Sequence, residues 1–118
     1  LSHEDWRTKG MKTYRGTRGK DGFGCRIIVD EEGQTRDLDP RNDLWNHSPD
    51  GFEWGYGGSG PAQSSLAILA DALGDDERAV DLHQRFKRAV IASLERKSWS
   101  MTIHDVLRAV GDIERENE

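Results

Sequence analysis

The residues best suited to chemistry lie between Asp39 and Gln63. Five of the thirteen glycines fall between positions 51 and 60, inside the run Phe52-Glu-Trp-Gly-Tyr-Gly-Gly-Ser-Gly-Pro-Ala-Gln63. A glycine-rich turn that feeds a helix can aim backbone N–H groups and the positive helix end at an anion. On that reading His47, Trp54, Tyr56, Gly58, Ser59, Gly60 and Gln63 form a small-ligand or nucleotide-binding enzyme site around turn 57–63. Three details oppose it. No Lys-Ser/Thr pair follows, the glycine spacing is not G-x-G-x-x-G, and Pro61 removes one donor. The steric alternative is simpler: small residues let the chain turn tightly and let a helix approach the aromatic run.

Acid–base chemistry would fall to His47, since imidazole titrates near neutrality. Asp39, Asp50, Glu53, Tyr56, Ser59 and Gln63 would be its polar companions. Ser59-Gly60-Pro61 lacks the G-x-S-x-G elbow of serine hydrolases, and a histidine that braces a loop by hydrogen bonding is the favoured reading of Asn46-His47-Ser48-Pro49. Cys25 is the one cysteine, and the four histidines show no i, i+4 pair. No catalytic residue, metal site or cofactor is therefore expected, and the sequence leans away from an enzyme. A single cysteine suits a reducing cytoplasm. No apolar run approaches the roughly 20 residues of a membrane helix.

Charge supplies another reading. The 118 residues carry 17 Lys and Arg against 22 Asp and Glu, a net charge of −5 that argues against a uniformly basic nucleic-acid binder. The charges come in blocks. Residues 6–20 hold six cations and no acid, with Trp6 and Tyr14 interleaved, a pattern compatible with weak, salt-sensitive nucleic-acid binding. Residues 30–53 hold eight acids against Arg36 and Arg41, and residues 71–81 hold five against Arg78. An acidic binding surface built from Asp30, Glu31, Glu32, Asp37, Asp39, Asp43, Asp75, Asp76 and Glu77 would attract a basic host protein or nucleoprotein complex.

The elements that must position these residues can be read in order. Residues 1–10 read as a poorly ordered upstream extension, 11–113 as one domain and 114–118 as a frayed tail. Strands are predicted at Met11–Arg15, Cys25–Val29 and Gln34–Leu38, the last two joined by a turn containing Gly33. Asp39-Pro40 predicts a single helical turn through Leu44 and Trp45, and Ser48-Pro49-Asp50-Gly51 a type I turn. Alternation in Phe52–Tyr56 predicts a strand with Phe52, Trp54 and Tyr56 on one core-facing side.

Three helices follow. The first starts at Ser59-Gly60-Pro61, buries Ala62, Leu66, Leu69 and Leu73, and ends at Gly74. The second is capped by Asp75 or Asp76 and buries Ala79, Leu82, Phe86, Val90 and Leu94. Ser98–Met101 returns a short strand. Thr102-x-x-Asp105 then forms a capping box for a helix burying Ile103, Val106, Leu107, Val110 and Ile113. Trp45 and Trp99 suit either core or interface. Strands early, helices late and one β return give an α+β fold: a small, mostly antiparallel sheet packed against three helices.

The run Phe52-x-Trp-Gly-Tyr-x-Gly-Ser-Gly-Pro-Ala-Gln63, with Leu44-Trp-Asn-His-Ser-Pro49 before it and Asp81-Leu-His-Gln-Arg-Phe-Lys87 after it, resembles an uncharacterised family, the domain of unknown function 6166. The resemblance covers roughly residues 14–110. It departs at Ser64-Ser65, where the family pattern usually continues apolar. It implies small proteins of bacteria, archaea, phages and plasmids, and brings no activity or site residues. Together with the acidic blocks, that context leads to a non-enzymatic protein-interaction module of a mobile element. Its expected role is inhibition of a host nucleic-acid-handling defence complex, in the manner of an anti-CRISPR protein.

Overall fold

A computed structural model of the chain describes residues 11–21 and 24–116. Strands β1 (Lys12–Thr17), β2 (Arg26–Glu31) and β3 (Gln34–Asp37) come first. Helices α1 (Ser59–Leu73) and α2 (Asp76–Ala89) follow, then a 3-10 turn over Ile91–Ser93, strand β4 (Ser98–Thr102) and helix α3 (Ile103–Arg115). The sheet is antiparallel in the order β3-β2-β1-β4, so the last strand seats against the first. The architecture is the α+β fold expected from the order of elements.

Period-two alternation sets the two sheet faces. Val29, Tyr14 and Met101 lie side by side across β2, β1 and β4, with Ile27, Gly16 and Trp99 in the next row. These rows face the helices. The opposite face carries Arg15 across from Ile28 and Ser100, with the Arg15 guanidinium 2.6 Å from Asp30. The β2–β3 hairpin has a two-residue loop, Glu32-Gly33, with both residues at positive φ (51° and 80°). That is the backbone a tight hairpin turn demands, and Gly33 supplies half of it without strain.

Helix α1 is the centre of the fold. Every residue from Gly60 to Ala70 is buried, so the predicted one-sided stripe is in fact a helix covered all round. Gly74 ends it in the left-handed conformation (φ 62°), and its N–H donates to the Ala70 carbonyl. Helix α2 starts where the acidic cap predicts: Asp75 accepts from the Arg78 N–H at 3.1 Å. Helix α3 has the full capping box, with Thr102 and Asp105 each bonding the other's backbone N–H.

Four expectations need correction. The single turn after Pro40 is present but starts one residue later than predicted: Arg41 sits at φ 55°, outside the helical region, and its carbonyl accepts from the Leu44 and Trp45 N–H groups. Phe52–Tyr56 is irregular rather than a strand. Trp54 is fully buried, Phe52 half-buried, and Tyr56 43% exposed, because Gly55 at φ 86° breaks the alternation. Leu107 is 43% exposed and Ile103 half-buried, so α3 buries only Val106, Val110 and Ile113 fully. Helix α2 stops at Ala89, which leaves Val90 and Leu94 partly buried beyond its end. Residues 1–10, where an extension and part of the basic block were expected, lie outside the described residues.

Candidate functional site

The glycine turn is built for packing. The position a Cβ would take on Gly60 is 2.5 Å from Glu53 Cβ, so the stem of an acidic residue fills the space beside the start of α1. At Gly55, Arg96 Cγ would lie 2.7 Å from an added Cβ, and the positive φ independently requires glycine. The Gly55 N–H donates to the Ile91 carbonyl, tying the turn to the 3-10 turn that follows α2. Ser64 Oγ bonds both the Glu53 N–H and its carbonyl. The Arg18 guanidinium clasps Glu53 at 2.7–2.8 Å and holds its carboxyl below the ordinary range. Trp54 sits inside, edge-on to Trp99 at 5.3 Å, with its indole N–H on the Arg96 carbonyl. Tyr56 is outside, under the Arg96 guanidinium. Ser59 is exposed and Gly58 half-buried.

Gln63 is fully buried, yet its side-chain amide is saturated. Nε2 donates to the Pro40 carbonyl at 2.6 Å and the Trp45 carbonyl at 3.0 Å. Oε1 accepts from the His47 N–H at 2.8 Å and the Ser48 N–H at 3.1 Å. One carboxamide has two donors and an oxygen with two lone pairs, and all are used. The loop from Pro40 to Ser48 is thereby stitched to the middle of the core. Its start is held separately: Arg41 reaches Asp43 and, on α2, Asp76 at 2.8 Å, and Asp39 accepts the Arg41 N–H.

On this loop three rings meet. Trp45 stacks on His47 (4.8 Å between centroids, 12° between planes) and leans against His83 of α2 at 5.6 Å. His47 Nε2 lies 2.9 Å from His83 Nε2, while His83 Nδ1 lies 2.5 Å from the Val80 carbonyl. A carbonyl can only accept, so Nδ1 of His83 carries the proton, its Nε2 offers a lone pair, and His47 Nε2–H donates to it. Burial depresses both imidazoles, and the Lys87 ammonium adds to the effect in each; the two rings also disfavour each other's charge at His47. The pair is therefore neutral at pH 7. Trp45 keeps 50% of its surface exposed.

His47 and Gln63, both in the expected ligand set, are brought together, but as the brace of a loop. His83 was not anticipated. Its signal was available, since Ala79, Leu82, His83 and Phe86 follow the i, i+3, i+4, i+7 stripe.

The acidic set is largely engaged within the chain. Asp30 pairs with Arg15, Asp37 with Arg26, and Asp43 and Asp76 with Arg41; Glu31 lies 3.9 Å from Lys12. Cations of the basic block are engaged too. Lys12 bonds Asp71, which also accepts from Tyr14 and Arg36, and Arg18 holds Glu53. Glu32 is exposed at the hairpin tip. Asp75, Glu77 and Asp81 line an open depression at the start of α2 together with Arg78 and Val80; Arg78 pairs with Glu114, and Asp81 lies 3.8 Å from Arg85. Cys25 is half-buried and burial raises its thiol, the opposite of what a nucleophile needs.

Among the described residues no three His, Cys, Asp or Glu side chains are grouped to hold a metal, and no helix is long and apolar enough to cross a membrane. No curated protein and no solved structure matches the chain. Residues 14–112 match a family of unknown function, DUF6166, and since that match spans most of the chain, the protein belongs to this family.

Proposed function

We propose that this protein is a non-enzymatic interaction module that docks a partner protein through the Trp45 loop. The carrying observation is a tryptophan left half-exposed on a backbone pinned by four hydrogen bonds from a buried amide. Large aromatic side chains held in a fixed pose are what interface hot spots are made of, and pre-organisation lowers the ordering cost of binding. Four of the seven polar groups an enzyme reading would recruit are engaged within the chain. Asp39 caps Arg41, Glu53 holds Arg18, Gln63 is saturated and His47 bonds His83. The carboxylates of Asp75, Glu77 and Asp81 outnumber Arg78 in the depression at the start of α2, the helix that also carries His83, and favour a basic partner by complementary potential. Basic grooves of that kind are the surfaces nucleic-acid-handling machines present to phosphates. The reading therefore extends to a mobile-element inhibitor that occupies such a groove, in a cytoplasmic setting.

The test is capture of host proteins on the immobilised chain at low salt. A basic protein retained by the wild type should be lost with Trp45→Ala, and retained less with Glu77→Lys and Asp81→Lys together. Equal retention by Trp45→Ala would sink the proposal.

A further inference from the structure

The three-ring cluster has a property that a purely structural brace would not need. His47 and His83 face each other through Nε2 atoms 2.9 Å apart, a separation that requires one N–H and one lone pair. We propose that this pair is a two-step proton sensor that holds the Trp45 loop in its docking pose when neutral or singly protonated and releases it when doubly protonated.

The number of protons on the pair decides whether the bond between the rings survives. In the neutral pair His47 donates, and His83 is locked as an acceptor because its Nδ1–H is on the Val80 carbonyl. A first proton, taken at His47 Nδ1, leaves the N–H···N bond intact and makes it charge-assisted. A second proton has only His83 Nε2 left to occupy. Two N–H groups then point at each other, two cations share a site in which His83 is buried and His47 half-buried, and the bond is gone. Helix α1 contributes neutral Gln63 and Ser65, the latter bonding the His83 carbonyl at 2.6 Å. Helix α2 contributes the cation Lys87, and the loop contributes Trp45. The nearby Arg41 is already paired with Asp43 and Asp76. With a cation beside the pair and no third ligand among the described residues, the geometry fits a hydrogen bond rather than a metal site. Interacting groups of this kind lose their protons in two macroscopic steps that belong to the pair.

That release weakens docking rests on the proposed function; the sensor itself does not. The experiment therefore has two arms. In the first, the imidazole resonances of the full chain are followed by NMR from pH 8 to 4.5, with amide exchange of His47 and Ser48, the N–H groups held by Gln63. Two steps below about 6.5 are expected, with protection of those amides falling at least tenfold at the second while the β1 and α1 amides stay protected. His47→Gln keeps a donor toward His83 but cannot titrate, and should retain protection to lower pH. A single step at or above the ordinary imidazole value, or protection unchanged through both steps, overturns the sensor.

In the second arm, a protein that binds the wild type but not Trp45→Ala should elute at the second step. Elution independent of pH overturns the link between sensor and docking. If no protein shows that Trp45 dependence, the docking reading fails, and the sensor is judged on the first arm alone.

Discussion

Gln63 shows how a single side chain can organise a surface. Its amide satisfies two carbonyls and two N–H groups of a loop that begins 23 residues earlier in the chain. Gln63→Leu keeps the volume but strands all four groups. The expected cost is about 2–4 kcal/mol, since a stranded buried polar group costs about 1–3 kcal/mol and the loop can turn part of its backbone to water. Urea titration checks the figure, and loss of His47 and Ser48 amide protection should accompany it; a change below about 0.5 kcal/mol would show that the loop does not depend on this bond set. Gly16 makes a second residue-level case. A Cβ there would lie 2.3 Å from the Trp99 ring, which packs edge-on to Trp54. Gly16→Ala should destabilise by about 1–3 kcal/mol through overpacking and shift the near-UV circular dichroism of the tryptophan pair.

At the scale of elements, helix starts were legible, while the end of α2 and the aromatic segment were not. Caps are local: Gly58 to Pro61 start α1, Gly74 stops it, Asp75 starts α2, and Thr102 with Asp105 starts α3, each reading only a few neighbours. Thr102→Ala should therefore cost about 1 kcal/mol, a fall of about 4 °C in Tm for a domain of this size, with the fold retained. An unchanged Tm would mean that packing alone sets the start of α3. Strand formation instead needs a partner. The alternation in Phe52–Tyr56 is real, but the segment's N–H groups are taken by the Ser64 hydroxyl, the Glu53 carboxylate and the Ile91 carbonyl. Those three consecutive N–H groups, of Glu53, Trp54 and Gly55, are not left to pair with a sheet edge. The same limit explains Leu107. A stripe drawn on α3 gives the apolar positions, while the width of the face that is covered depends on how α3 meets α2 and β4.

For the whole molecule, charge is an internal fastening as much as a surface. Cations of the first strand region reach acids 15 to 59 residues away, namely Asp30, Glu53 and Asp71. Titration should expose this. His47 and His83 are depressed in the fold, so the stability they contribute is present above about pH 6.5 and is lost as pH falls below it. Burial alone would raise Asp71, yet bonds from Tyr14, Arg36 and Lys12 outweigh it and keep the carboxyl low. Its contribution, like that of Glu53, is lost at lower pH still, below about 4. Burial and Asp71 push Tyr14 upward, so its contribution is full below about pH 10 and declines as the unfolded phenol ionises above that. Tm against pH should thus be flat near neutrality, fall in two stages on the acid side and fall again in strong base. A Tm unchanged between pH 7 and 5 would contradict the neutral histidine pair.

What the sequence determined by itself is what short-range physics controls: the α+β order of elements, the three helices and their caps, the hairpin, and the steric reading of the glycine turn. The tertiary structure decided which polar groups meet. Gln63 with the Trp45 loop, His47 with His83 36 residues on, and Arg41 with Asp76 are contacts between distant segments. No local pattern encodes them, because a hydrogen bond between distant residues exists only once packing has set the distance.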